Sequence, residues 1–95
     1  MGRLNGAPGL RFHVHGVVQG VGFRWFVRDA AVRLGVRGWV QNEPDGTVSG
    51  VAEGGPDALE SFLSALRSGP AASRVDAVHT GPCEPTGDDG FEIRR

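Results

Sequence analysis

Three glycines within seven residues, Gly16, Gly20 and Gly22, lead directly into an arginine in the stretch HGVVQGVGFRWF. A turn of this kind can aim successive backbone N–H groups at one point. The result is a concave anion site, to which a following helix N-terminus adds roughly half a positive charge. Glycine suits the turn because a Cβ would block positive-φ conformations and the close approach of a ligand oxygen. Gly20 and Gly22 are the candidates for those roles. Arg24 would fall in the first turn of that helix, where a cation is unfavourable by about 0.3–1 kcal/mol unless an anion is near. An oxyanion reverses the sign, and a phosphoryl group would meet the amides and the guanidinium fork together. Turn chemistry alone also allows a plain strand-to-helix turn with a solvated arginine.

The second candidate is Asn42, which ends GWVQN and precedes Pro44-Asp45-Gly46. A hydrolytic anion site needs a group that holds water, and a neutral amide can accept from water without repelling a phosphate as a carboxylate would. The bland alternative is an asparagine that caps the adjoining turn. Other phosphate signatures do not fit. No GK[ST] completes a Walker loop, and Trp25 occupies the third glycine position of a would-be GxGxxG. Cys83 has no arginine at the spacing of a cysteine-phosphatase loop. His13 and His15 share the polar face of the first strand, where a solvated surface is the commoner role. No third ligand is spaced along the sequence to join them at a metal.

These residues need elements to hold them. Leu10, Phe12 and Val14 alternate with Arg11, His13 and His15, as in a half-buried strand. Residues 16–22 form the loop, and Phe23, Phe26, Val27, Ala30 and Leu34 then recur at helical spacing up to Gly35. Residues 37–42 predict a second strand, Glu43-Pro44-Asp45-Gly46 a type I turn, and 47–53 the return strand of a hairpin. Pro56 suits a helix start, with Leu59, Phe62, Leu63 and Leu66 as the apolar face before Gly69-Pro70. Residues 75–80 predict a fourth strand, and a polar loop leads to a short terminal strand, FEIRR. The order gives an α+β, ferredoxin-like βαββαβ sandwich: an antiparallel sheet with two helices on one face, plus a short C-terminal strand. Residues 1–9 read as a flexible tail and 10–95 as one domain. Phe23, Phe26, Leu34, Leu59, Phe62 and Leu66 are expected in the core. Trp25 and Trp39 are expected to be partly exposed, and either could border the site. Arg11, Arg28 and Arg37 are expected on the solvated surface.

The 95 residues carry a net charge of −1, and all ten basic residues are arginine. The near-neutral balance, with no basic run, argues against a nucleic-acid footprint. One cysteine excludes an intramolecular disulfide and lies outside any CxxC pair. MGRLNGAPG has no apolar signal region, Gly6 departs from a myristoylation start, and no stretch is long and apolar enough to span a bilayer. These features predict a soluble, cytoplasmic chain with no membrane partner, expected to be a monomer.

At VHGVVQGVGFR (14–24), GWVQNEPDGTV (38–48), the VAEG that follows and the closing GFEIRR (90–95), the sequence resembles the acylphosphatases. These small enzymes hydrolyse the mixed anhydride of a carboxylic acid and phosphate. The resemblance spans essentially all of the chain after the tail and implies the same ferredoxin-like sandwich. It implies that Gly16, Val17, Val18, Gln19, Gly20, Val21 and Gly22 bind phosphate through backbone amides. It further implies that Arg24 clamps the phosphate, that Asn42 positions the attacking water, and that no metal or organic cofactor is needed. The implied partner is a small-molecule acyl phosphate. No general base is obvious, so the proton is expected to pass to the substrate's own oxygens. Ferredoxin-like sheets also serve as RNA-binding modules, which would require exposed aromatics where this chain has His13, Thr47 and Ser49. An anion-sensing domain without turnover is a further alternative. A piece of a larger hydrogenase-maturation protein is another, although the zinc-finger cysteines of that protein are missing.

Overall fold

The computed structural model describes residues 9–95, so the expected tail lies outside the described residues except for Gly9. Seven elements follow one another: β1 (Gly9–Val17), α1 (Phe23–Leu34), β2 (Arg37–Asn42), β3 (Val48–Glu53), α2 (Pro56–Ser68), β4 (Arg74–Cys83) and β5 (Phe91–Arg94). The sheet order is β4-β1-β3-β2-β5. The first four strands of that order pair antiparallel, and β5 runs parallel to β2. This is the ferredoxin-like α+β fold with an extra strand that makes the sheet mixed.

Strand alternation divides the residues between two faces. Phe12, Val14, Val40, Val48 and Ala52 point to the buried face, where they join Phe23, Val27 and Ala31 of α1 and Leu59, Phe62 and Leu66 of α2 in one core. Phe62 meets Phe12 edge-on with ring centroids 5.5 Å apart, and lies 5.8 Å from Phe91 of β5. Phe26 and Leu34 pack against that core while remaining partly exposed.

Several boundaries move. Gly9 pairs with Glu53 and Cys83, so β1 starts one residue earlier than expected. Its far end runs on through Gly16 and Val17, which pair with Val75 and Arg74 beyond a bulge at His15/Gly16. A Cβ at Gly16 would collide with the Arg74 carbonyl, so glycine there serves the close approach of β4. Gly16 and Val17 are therefore strand residues, and the loop proper is Val18–Gly22. β4 spans ten residues rather than the six expected, because β1 offers it a partner along its whole length. The hairpin turn is as expected: Gly46 N–H donates to the Glu43 carbonyl (3.1 Å), and Gly46 takes φ 92°.

Residues 84–90 carry the chain from the β4 edge to the opposite edge, past β1 and β3. The carboxylate of Glu53, buried at the end of β3, accepts from Thr86 N–H (2.6 Å) and Gly87 N–H (3.3 Å), while the Thr86 hydroxyl donates to Asp88. The Glu53 carboxylate also pairs with Arg37 at 3.5 Å. A buried carboxylate is tolerated only when partnered in this way, and here its bonds fix the path that delivers β5.

Candidate active site

The C-terminal ends of β1, β2 and β5 lie at the same end of the sheet, and the start of α1 closes over them. A cleft of about 150 Å³ at this end is lined by Val18, Gly20, Gly22, Phe23, Arg24, Trp25 and Asn42. The loop turns through two left-handed glycines, Gly20 at φ 75° and Gly22 at φ 76°, and at each of them a Cβ would find nothing within 4 Å. Glycine is needed there for its conformation, since no protein atom crowds either position.

Gly22 is the N-cap of α1, makes no side-chain cap, and is followed by no acidic residue in the first turn. The helix ladder opens with Phe26 N–H donating to the Gly22 carbonyl (3.0 Å). The N–H groups of residues 23–25 therefore have no intrahelical acceptor. Among the described residues, the backbone bonds of loops and caps use none of the N–H groups from Val18 to Trp25. No acidic side chain lines the cleft. Free amides, the helix dipole and a guanidinium thus face one small volume, an environment that attracts an anion.

Arg24 is held from an unexpected direction. Its Nη1 donates to the carbonyl oxygen of Arg94 at 3.1 Å, which leaves the rest of its donor fork without a partner among the described residues. Gln19 points away from the cleft. Its Nε2 donates to the carbonyls of Glu43 (2.8 Å) and Thr47 (2.9 Å), strapping the loop to the β2–β3 turn. Val21 packs against the core, and Val17 is exposed. Of the seven loop residues singled out by sequence, Val18, Gly20 and Gly22 line the cleft; Gly16, Val17, Gln19 and Val21 do not.

Asn42 shares the buried-face parity of Gly38 and Val40, which turns it toward α1, and its side-chain amide makes no hydrogen bond among the described residues. It does not cap the hairpin. Asp45 does so, accepting from Thr47 N–H (3.0 Å) and the Thr47 hydroxyl (2.6 Å). Those bonds hold the Asp45 carboxyl below its ordinary range. The Ser49 hydroxyl, followed by the Gln41 amide, does the same to Glu43. Since the Thr47 hydroxyl spends its proton on Asp45, His13 Nε2, 2.6 Å away, is the donor to it.

The histidines lie on the open face, away from the cleft. The rings of His13 and His15 are 4.6 Å apart, and β4 brings His79 to 5.1 Å from His15, a neighbour that sequence spacing did not reveal. Among the described residues no three His, Cys, Asp or Glu side chains are grouped to hold a metal. Trp39 also lies off the cleft, beneath the Arg94 guanidinium at 4.3 Å, whereas Trp25 forms part of its wall. Sequence reasoning missed the Arg94 carbonyl, the Gln19 strap and the Glu53 anchor. Only the last left a trace, as a charged residue closing an apolar strand.

The acylphosphatase family model matches residues 10–93. An acylphosphatase of Nitratidesulfovibrio vulgaris is 50% identical over 94 residues, covering 92% of this chain and 90% of its own. One from Thermococcus kodakarensis is 46% identical over 80 residues, covering 84% and 88%. The crystal structure of acylphosphatase from Bacillus subtilis aligns with a TM-score of 0.90 at 38% identity, over 93% of this chain and 99% of that one. With the fold, both motifs and these relatives in agreement, the chain belongs to the acylphosphatase family, enzymes that hydrolyse acyl phosphates.

Proposed function

We propose that this acylphosphatase holds the phosphoryl group of its substrate in the cleft formed by Val18, Gly20, Gly22, Arg24 and Asn42, and that Asn42 aims the attacking water. The observation that carries this reading is the convergence of unpartnered amides, one guanidinium and one free side-chain amide on a volume with no acid in its wall. The water oxygen bonds to phosphorus as the bond from phosphorus to the carboxylate oxygen breaks, releasing the carboxylate and inorganic phosphate. Carboxylate is a good leaving group, so the work is positioning and charge stabilisation. The loose transition state spreads charge over three equatorial oxygens, which the loop amides and Arg24 receive. The water's proton passes to a phosphoryl oxygen, and no protein base is required.

In this reading the unpartnered N–H groups of the loop from Val18 to Gly22 receive the phosphoryl oxygens, Gly16 and Val17 set that loop in place from the end of β1, and residues 10–95 act as one domain. No helix among the described residues is long and apolar enough to cross a membrane. We further propose a cytoplasmic monomer that acts on a small molecule without nucleic acid or cofactor, in keeping with the net charge of −1 and with a proposed step that calls on no group beyond the cleft residues. Asn42→Ala tests the site. Its kcat on benzoyl phosphate is expected to fall on the order of 10²–10³-fold while competitive inhibition by inorganic phosphate persists. A variant with raised KM and unchanged kcat would overturn the role of Asn42.

A further inference from the structure

Beside the phosphate cleft, and sharing Arg24 and Trp25 with it, lies a second pocket of about 350 Å³ lined by Arg24, Trp25, Arg28, Ile93 and Arg95. Its position follows from two elements. Arg24 and Arg28 are four residues apart on α1 and so share a face. Ile93 of β5 has the buried-face parity of its partner Val40, which turns the β5 end toward that helix. Three of the five lining residues are arginine, and none is acidic.

The nearby acidic side chains do little to offset these guanidinium groups. Asp29 approaches Arg28 only to 3.8 Å, with its side chain 69% exposed, a pairing of little strength in water. Glu92 pairs with Arg94, whose guanidinium lies on Trp39 on the other face. Trp25, 60% exposed, presents a flat ring with the Arg28 guanidinium 5.8 Å from its centroid. An apolar wall flanked by guanidinium groups fits a carbon skeleton ending in an anion.

We infer that this pocket receives the acyl part of the substrate, and that Arg28 and Arg95 make the enzyme selective for acyl phosphates carrying a second anionic group, a carboxylate or a phosphate. The inference rests on the phosphate site proposed above. Arg24 is engaged by the phosphoryl group, the acyl carbons lie along Trp25 and Ile93, and the distal anion meets the two remaining guanidinium groups. Arg28, expected from sequence on a solvated surface, thereby acquires a role.

The test compares kcat/KM for 4-carboxybenzoyl phosphate and 4-phosphonobenzoyl phosphate with benzoyl phosphate, using 4-methylbenzoyl phosphate to control for size. The rigid ring keeps the second anion from attacking the anhydride. The intact enzyme is expected to favour at least one anionic compound by about 5–30-fold over the neutral pair, and the stronger preference identifies the group read. Arg28→Gln should lower that ratio severalfold, Arg28→Gln with Arg95→Gln should bring it near one, and Arg28→Glu should take it below one. Because each ratio is internal to one protein, partial unfolding cancels. Hydrolysis of benzoyl phosphate with no preference for either anion, or a preference untouched by the double variant, would overturn this inference alone. Failure to hydrolyse any of the four compounds would overturn the site beneath it as well.

Discussion

Helix α2 starts from an extended Gly55, takes Pro56 at its first position and sets Asp57 in its first turn, while α1 starts from a left-handed Gly22, lacks any acid there and carries Arg24 instead. The opening hydrogen bond is the same in both, from Phe26 to Gly22 and from Leu59 to Gly55, each 3.0 Å. Only the charge and the approach of the chain differ. α2 follows the rules that stabilise a helix, with an acid at its start and Arg67 in its last turn. α1 breaks them at one end only, since Arg33 lies properly in its last turn. A local rule broken at one place in an otherwise regular helix is what a functional site is expected to leave, and the phosphate site proposed above lies at that place.

Removing the misplaced cation should produce the largest effect. In Arg24→Ala, kcat/KM for benzoyl phosphate is expected to fall on the order of 10³-fold, and inorganic phosphate should no longer raise Tm. Tm without phosphate should change little. The lost bond to Arg94 costs about 1 kcal/mol, and relief of the helix start returns a similar amount. Continued stabilisation by phosphate would break the comparison.

The glycines sharpen it. Gly22→Ala should cost about 1–2 kcal/mol, from the φ of 76° alone, and should lower kcat/KM at least about tenfold by turning the amides. Gly55→Ala, at φ −66° and ψ 159°, should stay within about 0.5 kcal/mol and leave kinetics alone. Equal effects at the two sites would mean that the left-handed start has no bearing on catalysis. Asp57→Arg gives α2 the same charge as α1 with no anion to satisfy it. A loss of about 0.5–1 kcal/mol in thermal unfolding, with unchanged activity, is expected.

The smallest effect belongs to neither helix. The Asp45 carboxyl is depressed by its bonds from Thr47, so its contribution is complete above the ordinary carboxylate range and is lost as pH falls through and below it. In Asp45→Asn, stability should therefore decline less steeply on acidification below about pH 4, while the profile near neutrality keeps its shape. A slope unchanged by the substitution would remove the hairpin from the account of acid sensitivity.

What could be read in the sequence was whatever is local. The alternation of Leu10, Phe12 and Val14, the helical spacing behind Gly22, the Pro44-Asp45-Gly46 turn and the Gly20, Gly22, Arg24 cluster all express backbone preferences over a few residues. The unexpected features depend on partners far along the chain. β4 is long because β1 accepts it over nine paired positions, and β5 lies parallel because Glu53 fixes a crossover whose amides are more than thirty residues away. The acceptor for Arg24 is a main-chain oxygen, which no side-chain pattern can announce. Asn42 could be chosen for its chemistry, but sequence could not separate water holding from turn capping. The structure gives the cap to Asp45, which leaves the Asn42 amide free for the proposed role.

The hydrogen bond from Arg24 to the Arg94 carbonyl joins residues 70 positions apart. A chain whose helices and first four strands have already docked still lacks the fixed guanidinium until its last strand settles beside β2. If β5 docks after the rest in refolding, regained turnover lags behind the return of helical ellipticity; simultaneous recovery means that the last strand docks together with the core to which its Phe91 belongs.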